Sequence, residues 1–181
     1  MKKILFLFTI AGISQFGLAQ SPSGSPSATA KPAVAKSSDV SFENVTVAGA
    51  TDMSSKPKIS AESTLPAAKL KVKDLVVGKG EAATPTSSVT VQYVGVRYAD
   101  GKQFDSSWDR GGATTFPLNR VVRGFTEGIG GNDTVSPMKV GGRRLMILPS
   151  EMGYGENGTP DGSIRPNDTI VFVVDLIKVG Q

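Results

Sequence analysis

Val89-Thr-Val-Gln-Tyr-Val-Gly-Val-Arg-Tyr98 is the stretch on which the fold of this chain turns. Val89, Val91, Tyr93 and Val96 fit one half-buried face of a β-strand, with a slip in the alternation near Gly95. Asp100-Gly101 follows directly and is a strong tight-turn pair, after which Phe104 opens a second short strand. Upstream, Lys69–Val77 alternates, with Leu70, Val72 and Leu75 or Val76 as candidate buried positions before Gly78 and Gly80 turn the chain. Downstream, Phe116-Pro-Leu118 is extended, and Pro117 suits a strand end or a sheet edge. Val122 to Ile129 is the one plausible helix, about two turns long, weakened by Gly124 and Gly128. Arg143–Leu148 and Thr169–Val179 read as two further strands. The pattern predicts an α+β fold, a twisted antiparallel sheet of about five strands wrapped around one short α-helix. Phe125 and Ile129 should face inward, Val91 and Val173 should be plain core, and Arg143 and Arg144 should point to opposite sides of their strand.

Composition narrows the chemistry. The 181 residues carry a net charge of +4 and contain no cysteine and no histidine. Thiolate nucleophiles, disulfides, zinc clusters and histidine general bases are thereby excluded, while paired-carboxylate hydrolysis stays formally open. Charge is close to balanced beyond Pro66, with no clustered basic face, which argues against a nucleic-acid binder.

The N-terminal third has a different character. Residues 1–19 read as an export signal: a basic start at Met1-Lys2-Lys3, an apolar run from Ile4 to Ile13, and a small-x-small site at Gly17-Leu18-Ala19. The run is too short to span a bilayer comfortably, and cleavage after Ala19 would leave Gln20, not a lipid-bearing cysteine. The expectation is a secreted or cell-envelope-associated protein with no stable membrane insertion after cleavage. Residues 20–38 are rich in Ser, Pro and Ala and cannot repay the entropy of ordering, so they read as a disordered linker. In residues 39–66, Val40, Phe42, Val45 and Val47 are spaced like strand fragments, while Pro57 and Pro66 interrupt any longer element. This reads as a partly ordered extension, either an extra strand or two on the main body or simply linker. The main body is assigned to residues 67–181.

Five motifs carry a family resemblance. They are Val91-Gln-Tyr-Val-Gly95 with Asp100-Gly-Lys-Gln-Phe-Asp-Ser-Ser-Trp-Asp-Arg110; Phe116-Pro-Leu-Asn-Arg-Val-Val-Arg-Gly-Phe125 with Glu127-Gly128; Met138-Lys-Val-Gly-Gly-Arg143; Gly153-Tyr-Gly155; and Ile164-Arg-Pro-Asn-Asp-Thr-Ile-Val-Phe172. In this order and spacing the chain resembles the FK506-binding-protein family of peptidyl-prolyl cis–trans isomerases, and the lead-in is similar to that of exported actinobacterial members. The resemblance implies an isomerase acting on X–Pro bonds of exported polypeptides, without cofactor or metal, that could also take macrolides of the FK506 type. It implies that Tyr93, Phe104, Val121, Val122, Phe125, Ile164 and Phe172 surround the proline ring. It further implies that the Tyr154 hydroxyl and the Val122 backbone N–H hold substrate carbonyls. Asp105 would stand at the pocket wall, held by Tyr93 and Arg110, in an electrostatic and organising role. A non-catalytic module that binds proline-containing segments, as chaperone or adaptor, is the alternative.

The residues suit this chemistry independently. The rotational barrier of about 18–20 kcal/mol comes from amide resonance, which the twisted transition state has lost. An apolar, water-poor pocket with one or two groups fixing the carbonyls can favour the twist without nucleophile, metal or proton acceptor. By composition alone Phe104, Val121 and Phe172 would be ordinary core, and Asp105-Ser106-Ser107 would cap a turn. Tyr154 between two glycines is more telling, since a large aromatic held in a loop often meets a partner.

Departures from the family pattern fall at Phe125, Thr114 and residues 130–137, and Trp108 could partly compensate for the second. Phe125 stands where a tryptophan commonly floors the pocket, and Thr114 where a bulky rim aromatic is common. Trp108 reads as an exposed aromatic beside the pocket, and residues 130–137 lengthen the link between the helix and the next strand.

Overall fold

The computed structural model describes residues 38–180. The export signal of residues 1–19 and nearly all of the 20–38 linker lie outside these residues. Nine strands and one α-helix follow in order: β1 Val40–Phe42, β2 Val45–Ala48, β3 Lys58–Ala61, β4 Lys71–Val76, β5 Ser88–Arg97, β6 Gln103–Ser106, β7 Thr114–Pro117, α1 Arg123–Gly130, β8 Arg143–Leu148 and β9 Ile170–Gly180. Strands β4-β8-β9-β5-β6 form one antiparallel sheet, and β7 also pairs with β5. The slip expected near Gly95 is a register shift between Gly95 and Val96 where β5 meets β6.

Side-chain alternation sends successive residues of the central strands to opposite faces, and here both faces are covered. One face carries Val89, Val91 and Tyr93 of β5, Met146 and Leu148 of β8, and Ile170, Phe172 and Val174 of β9. Helix α1 closes this face with Phe125 and Ile129, both buried. The other face carries Val94, Val96, Leu145, Ile147, Val171 and Val173, and it is covered by the N-terminal residues. There β1, β2 and β3 pair antiparallel into a sheet of their own, laying Val45, Val47, Ile59 and Ala61 against the main sheet. Burial on both faces is why Leu145–Leu148 of β8 and Ile170–Val174 of β9 read as unbroken apolar runs. Residues 39–66 are thus a second covering layer, and continuous packing extends well upstream of residue 67.

The paired arginines do diverge. Arg143 points to the N-terminal layer and is fully buried. Its guanidinium binds both oxygens of Asp175, at 2.5 and 2.7 Å, and donates to the carbonyls of Gly49, Asp52 and Ser55 at 2.9, 2.8 and 3.2 Å. All five donors of the fork find acceptors, as a buried guanidinium requires. Burial pushes the Asp175 carboxyl above its ordinary range, with Arg143 pulling against it. Arg144 points to the helix side, pairs with Asp74, and donates to the carbonyls of Gly128 and Ser136.

Candidate functional site

Six separate segments converge at the N-terminal end of α1. β5 supplies Tyr93, β6 supplies Phe104 and Asp105, and the turn before α1 supplies Val121 and Val122. α1 supplies Phe125, the β8–β9 connection supplies Tyr154 and Ile164, and β9 supplies Phe172. The eight apolar or aromatic members all lie in or against the helix-side core. Asp105 joins them through Tyr93. All nine residues singled out from the sequence therefore meet in one place.

The centre of the cluster is aromatic. Phe125 and Phe172 stand edge to face with centroids 5.1 Å apart, Phe104 meets Phe172 at 5.5 Å, and Tyr93 meets both Phe125 and Phe172 at 6.1 Å. Such tilted contacts suit ring quadrupoles. Gly95 makes the approach possible, since it pairs with Asp105 on one side and Phe172 on the other. A Cβ there would lie 2.7 Å from both Phe104 Cζ and Phe172 Cε1. The sequence reading saw only a slip at Gly95; the close packing behind it is set by strands far apart in the chain.

The polar wall is a triangle. Tyr93 donates its hydroxyl to Asp105 at 2.5 Å, Arg110 donates to the Tyr93 oxygen at 2.6 Å and also to Asp105, and the Ser106 N–H donates to Asp105 at 2.7 Å. Buried Ser107 anchors Tyr93 from behind, accepting its N–H at 2.8 Å and donating its own N–H to the Tyr93 carbonyl at 3.0 Å. Ser107, which the sequence suggested only as a turn cap, thus fixes the strand that carries Tyr93. Burial, then the bond to Asp105 and its charge, raise the Tyr93 phenol, with Arg110 opposing. Burial also raises Tyr154, reinforced by the charges of Asp105 and Asp161.

Two donors remain open. Among the described residues, no group accepts from the Tyr154 hydroxyl or from the N–H of Val122, the residue that precedes α1. An apolar cluster flanked by two uncommitted donors can hold a ring and two carbonyls. Its one carboxylate, Asp105, is engaged by Tyr93 and Arg110.

One sequence expectation about the surroundings changes. Trp108 is not exposed as expected; it is half-buried against the cluster shared by the main sheet and the N-terminal layer, with its indole N–H buried. Residues 130–137 form an ordered loop, in which Asn132 accepts the N–H groups of Thr134 and Val135 at 2.8 Å each and Val135 is buried. That loop leaves from the C-terminal end of α1, about 12 Å along the helix from Val122. Separately, a mixed groove of about 590 Å³ runs past Glu43, Leu65, Lys71 and Tyr98 and contains none of the nine residues.

Comparison with known proteins agrees with this architecture. The family model for FKBP-type peptidyl-prolyl cis-trans isomerases matches residues 79–177. A probable FK506-binding protein of Corynebacterium glutamicum is 47% identical over 111 residues, covering 60% of this chain and 86% of that protein. An FK506-binding protein of Streptomyces anulatus is 40% identical over 126 residues, covering 68% of this chain and 97% of that protein. Among solved structures, AtFKBP13 superposes with a TM-score of 0.58 at 33% identity, covering 66% of this chain and all of that one. The matched span contains all nine clustered residues and more than half of the chain, and the chain belongs to the family of FKBP-type peptidyl-prolyl cis–trans isomerases.

Proposed function

We propose that the aromatic cluster between α1 and the main sheet is the isomerase's active site and that it acts on X–Pro bonds of exported polypeptides. The observation that carries this reading is the pairing of a water-poor aromatic floor with two uncommitted donors, Tyr154 hydroxyl and Val122 N–H. The proline ring packs against Tyr93, Phe104, Phe125 and Phe172, with Val121, Val122 and Ile164 completing the walls. The two donors hold the carbonyls on either side, so that the amide twists while its flanks stay fixed. Removing water from the amide destabilises its charge-separated planar form relative to the twisted one. Asp105 takes no proton; it fixes Tyr93 and sets the local field.

The same apolar floor suits macrolides of the FK506 type, in line with the names of the two actinobacterial relatives. The export signal read in residues 1–19 supports a role outside the cytoplasm, on secreted or envelope proteins, with residues 20–38 as a spacer. The test is a stopped-flow trace of cis-to-trans relaxation in a tetrapeptide with one X–Pro bond. Acceleration proportional to enzyme, abolished by FK506, is expected. Binding of the peptide without acceleration would replace the enzyme with a proline-segment-binding module.

A further inference from the structure

The six residues Asp105–Arg110 face two different parts of the molecule. Asp105 and Arg110 belong to the polar wall of the aromatic cluster. Between them, half-buried Trp108 packs against the apolar cluster that the main sheet shares with β1–β3. Its neighbour Asp109 receives Lys56 Nζ on both oxygens, at 2.8 and 2.7 Å, and Gln103 Nε2 at 2.8 Å. Lys56 lies in the β2–β3 connection, whose carbonyls at Gly49, Asp52 and Ser55 are held by Arg143.

β6 and buried Ser107 tie the first half of the segment to β5, so what the N-terminal sheet adds falls on Trp108–Arg110. Trp108–Arg110 is a single 3-10 turn without a side-chain cap. Gly111 and Gly112 follow with φ of 89° and 156°, so the chain leaves the turn through two residues of high backbone freedom. Arg110 itself is 40% exposed, and among the described residues its side chain bonds only the groups that it would position, Tyr93 and Asp105.

We infer that the N-terminal sheet positions the polar wall of the isomerase site, with Trp108 and Lys56 as positioning residues that act through Arg110. This rests on the reading of the Tyr93–Asp105–Arg110 triangle as part of that site. The buried indole N–H has no partner, so the anchor is the apolar body of Trp108, and phenylalanine can replace it.

The test is a mutant cycle on the full-length chain, with kcat/KM for an X–Pro tetrapeptide measured where circular dichroism shows every variant folded. Trp108→Ala should lower kcat/KM about fivefold, in line with the cost of small misplacements at a site, and Trp108→Phe should restore it. Lys56→Ala, a surface change that leaves the core intact, should lower it about twofold. In an Arg110→Ala background neither change should cost anything further, because both act through that residue. Losses that multiply across the cycle would overturn the proposal, as would full activity in both Trp108→Ala and Lys56→Ala. Full activity in Arg110→Ala alone would remove the triangle from the site and the brace with it, an outcome distinct from failure of the brace by itself.

Discussion

The Tyr93 hydroxyl donates to Asp105 across 2.5 Å, although the two residues lie 12 positions apart on different strands. The register of β5 and β6 brings them together by setting Gly95 opposite Asp105. A phenol engaged in this way, and raised above its ordinary range, keeps its proton throughout the neutral region. Asp105 therefore faces a donor across that region.

From this follows a flat pH profile. The chain has no histidine or cysteine, and both Tyr93 and Tyr154 have raised pKa values. A raised phenol loses its proton only above its ordinary pKa of about 10. Between pH 6 and 9, kcat/KM should vary by less than about twofold, a general acid or base being absent. A bell-shaped curve in stopped-flow measurements would contradict the non-covalent mechanism.

Tyr154→Phe should separate catalysis from folding. The hydroxyl has no acceptor among the described residues, so its loss leaves no orphaned partner. Urea unfolding midpoints should be unchanged, while kcat/KM should fall about five- to tenfold, the worth of one neutral hydrogen bond to substrate.

Gly95→Ala should disturb the aromatic floor directly. The new methyl would press on the Phe104 and Phe172 rings at 2.7 Å. Overpacking of this kind costs about 1–3 kcal/mol. The thermal midpoint should drop, and activity should fall further than at any neutral surface site; a crystal structure of the variant should show both rings displaced.

A chain beginning at residue 67 should be markedly less stable than one beginning at residue 38. Truncation uncovers Val94, Val96, Leu145, Ile147, Val171 and Val173. It also strips Arg143 of three carbonyl acceptors. Apolar area returned to water weakens the fold, and binding of an apolar dye such as ANS should rise. Equal denaturant midpoints for the two chains would mean that the N-terminal layer contributes nothing to the fold.

The sequence made the helix-side half of the molecule readable and left the opposite half obscure. β5, β8 and β9 are long, and their buried residues recur at a fixed spacing, so local pattern suffices. The helix read at Val122–Ile129 spans Arg123–Gly130, and Phe125 and Ile129 face inward as their positions suggest. β1, β2 and β3 have only three or four residues each. Ile59 has no local signal of burial and Val45 only the spacing of a strand fragment, because what buries them is the main sheet. The same holds for Trp108, which packs against a cluster assembled from residues far apart in the chain. Ser107 and Gly95 carry no chemistry of their own, and their parts emerge only once strand register is known.

The location of Trp108 has an optical consequence. It is the chain's only tryptophan, and it is seated in the seam with the N-terminal sheet, while phenylalanine occupies the floor of the aromatic cluster. Intrinsic emission excited at the red edge of the protein spectrum therefore reports the seam alone. A blue-shifted band signals a closed seam, and a shift to longer wavelength during denaturation marks the moment at which the two sheets part. The molecule carries its own probe for deciding whether its layers separate before the main sheet melts or together with it.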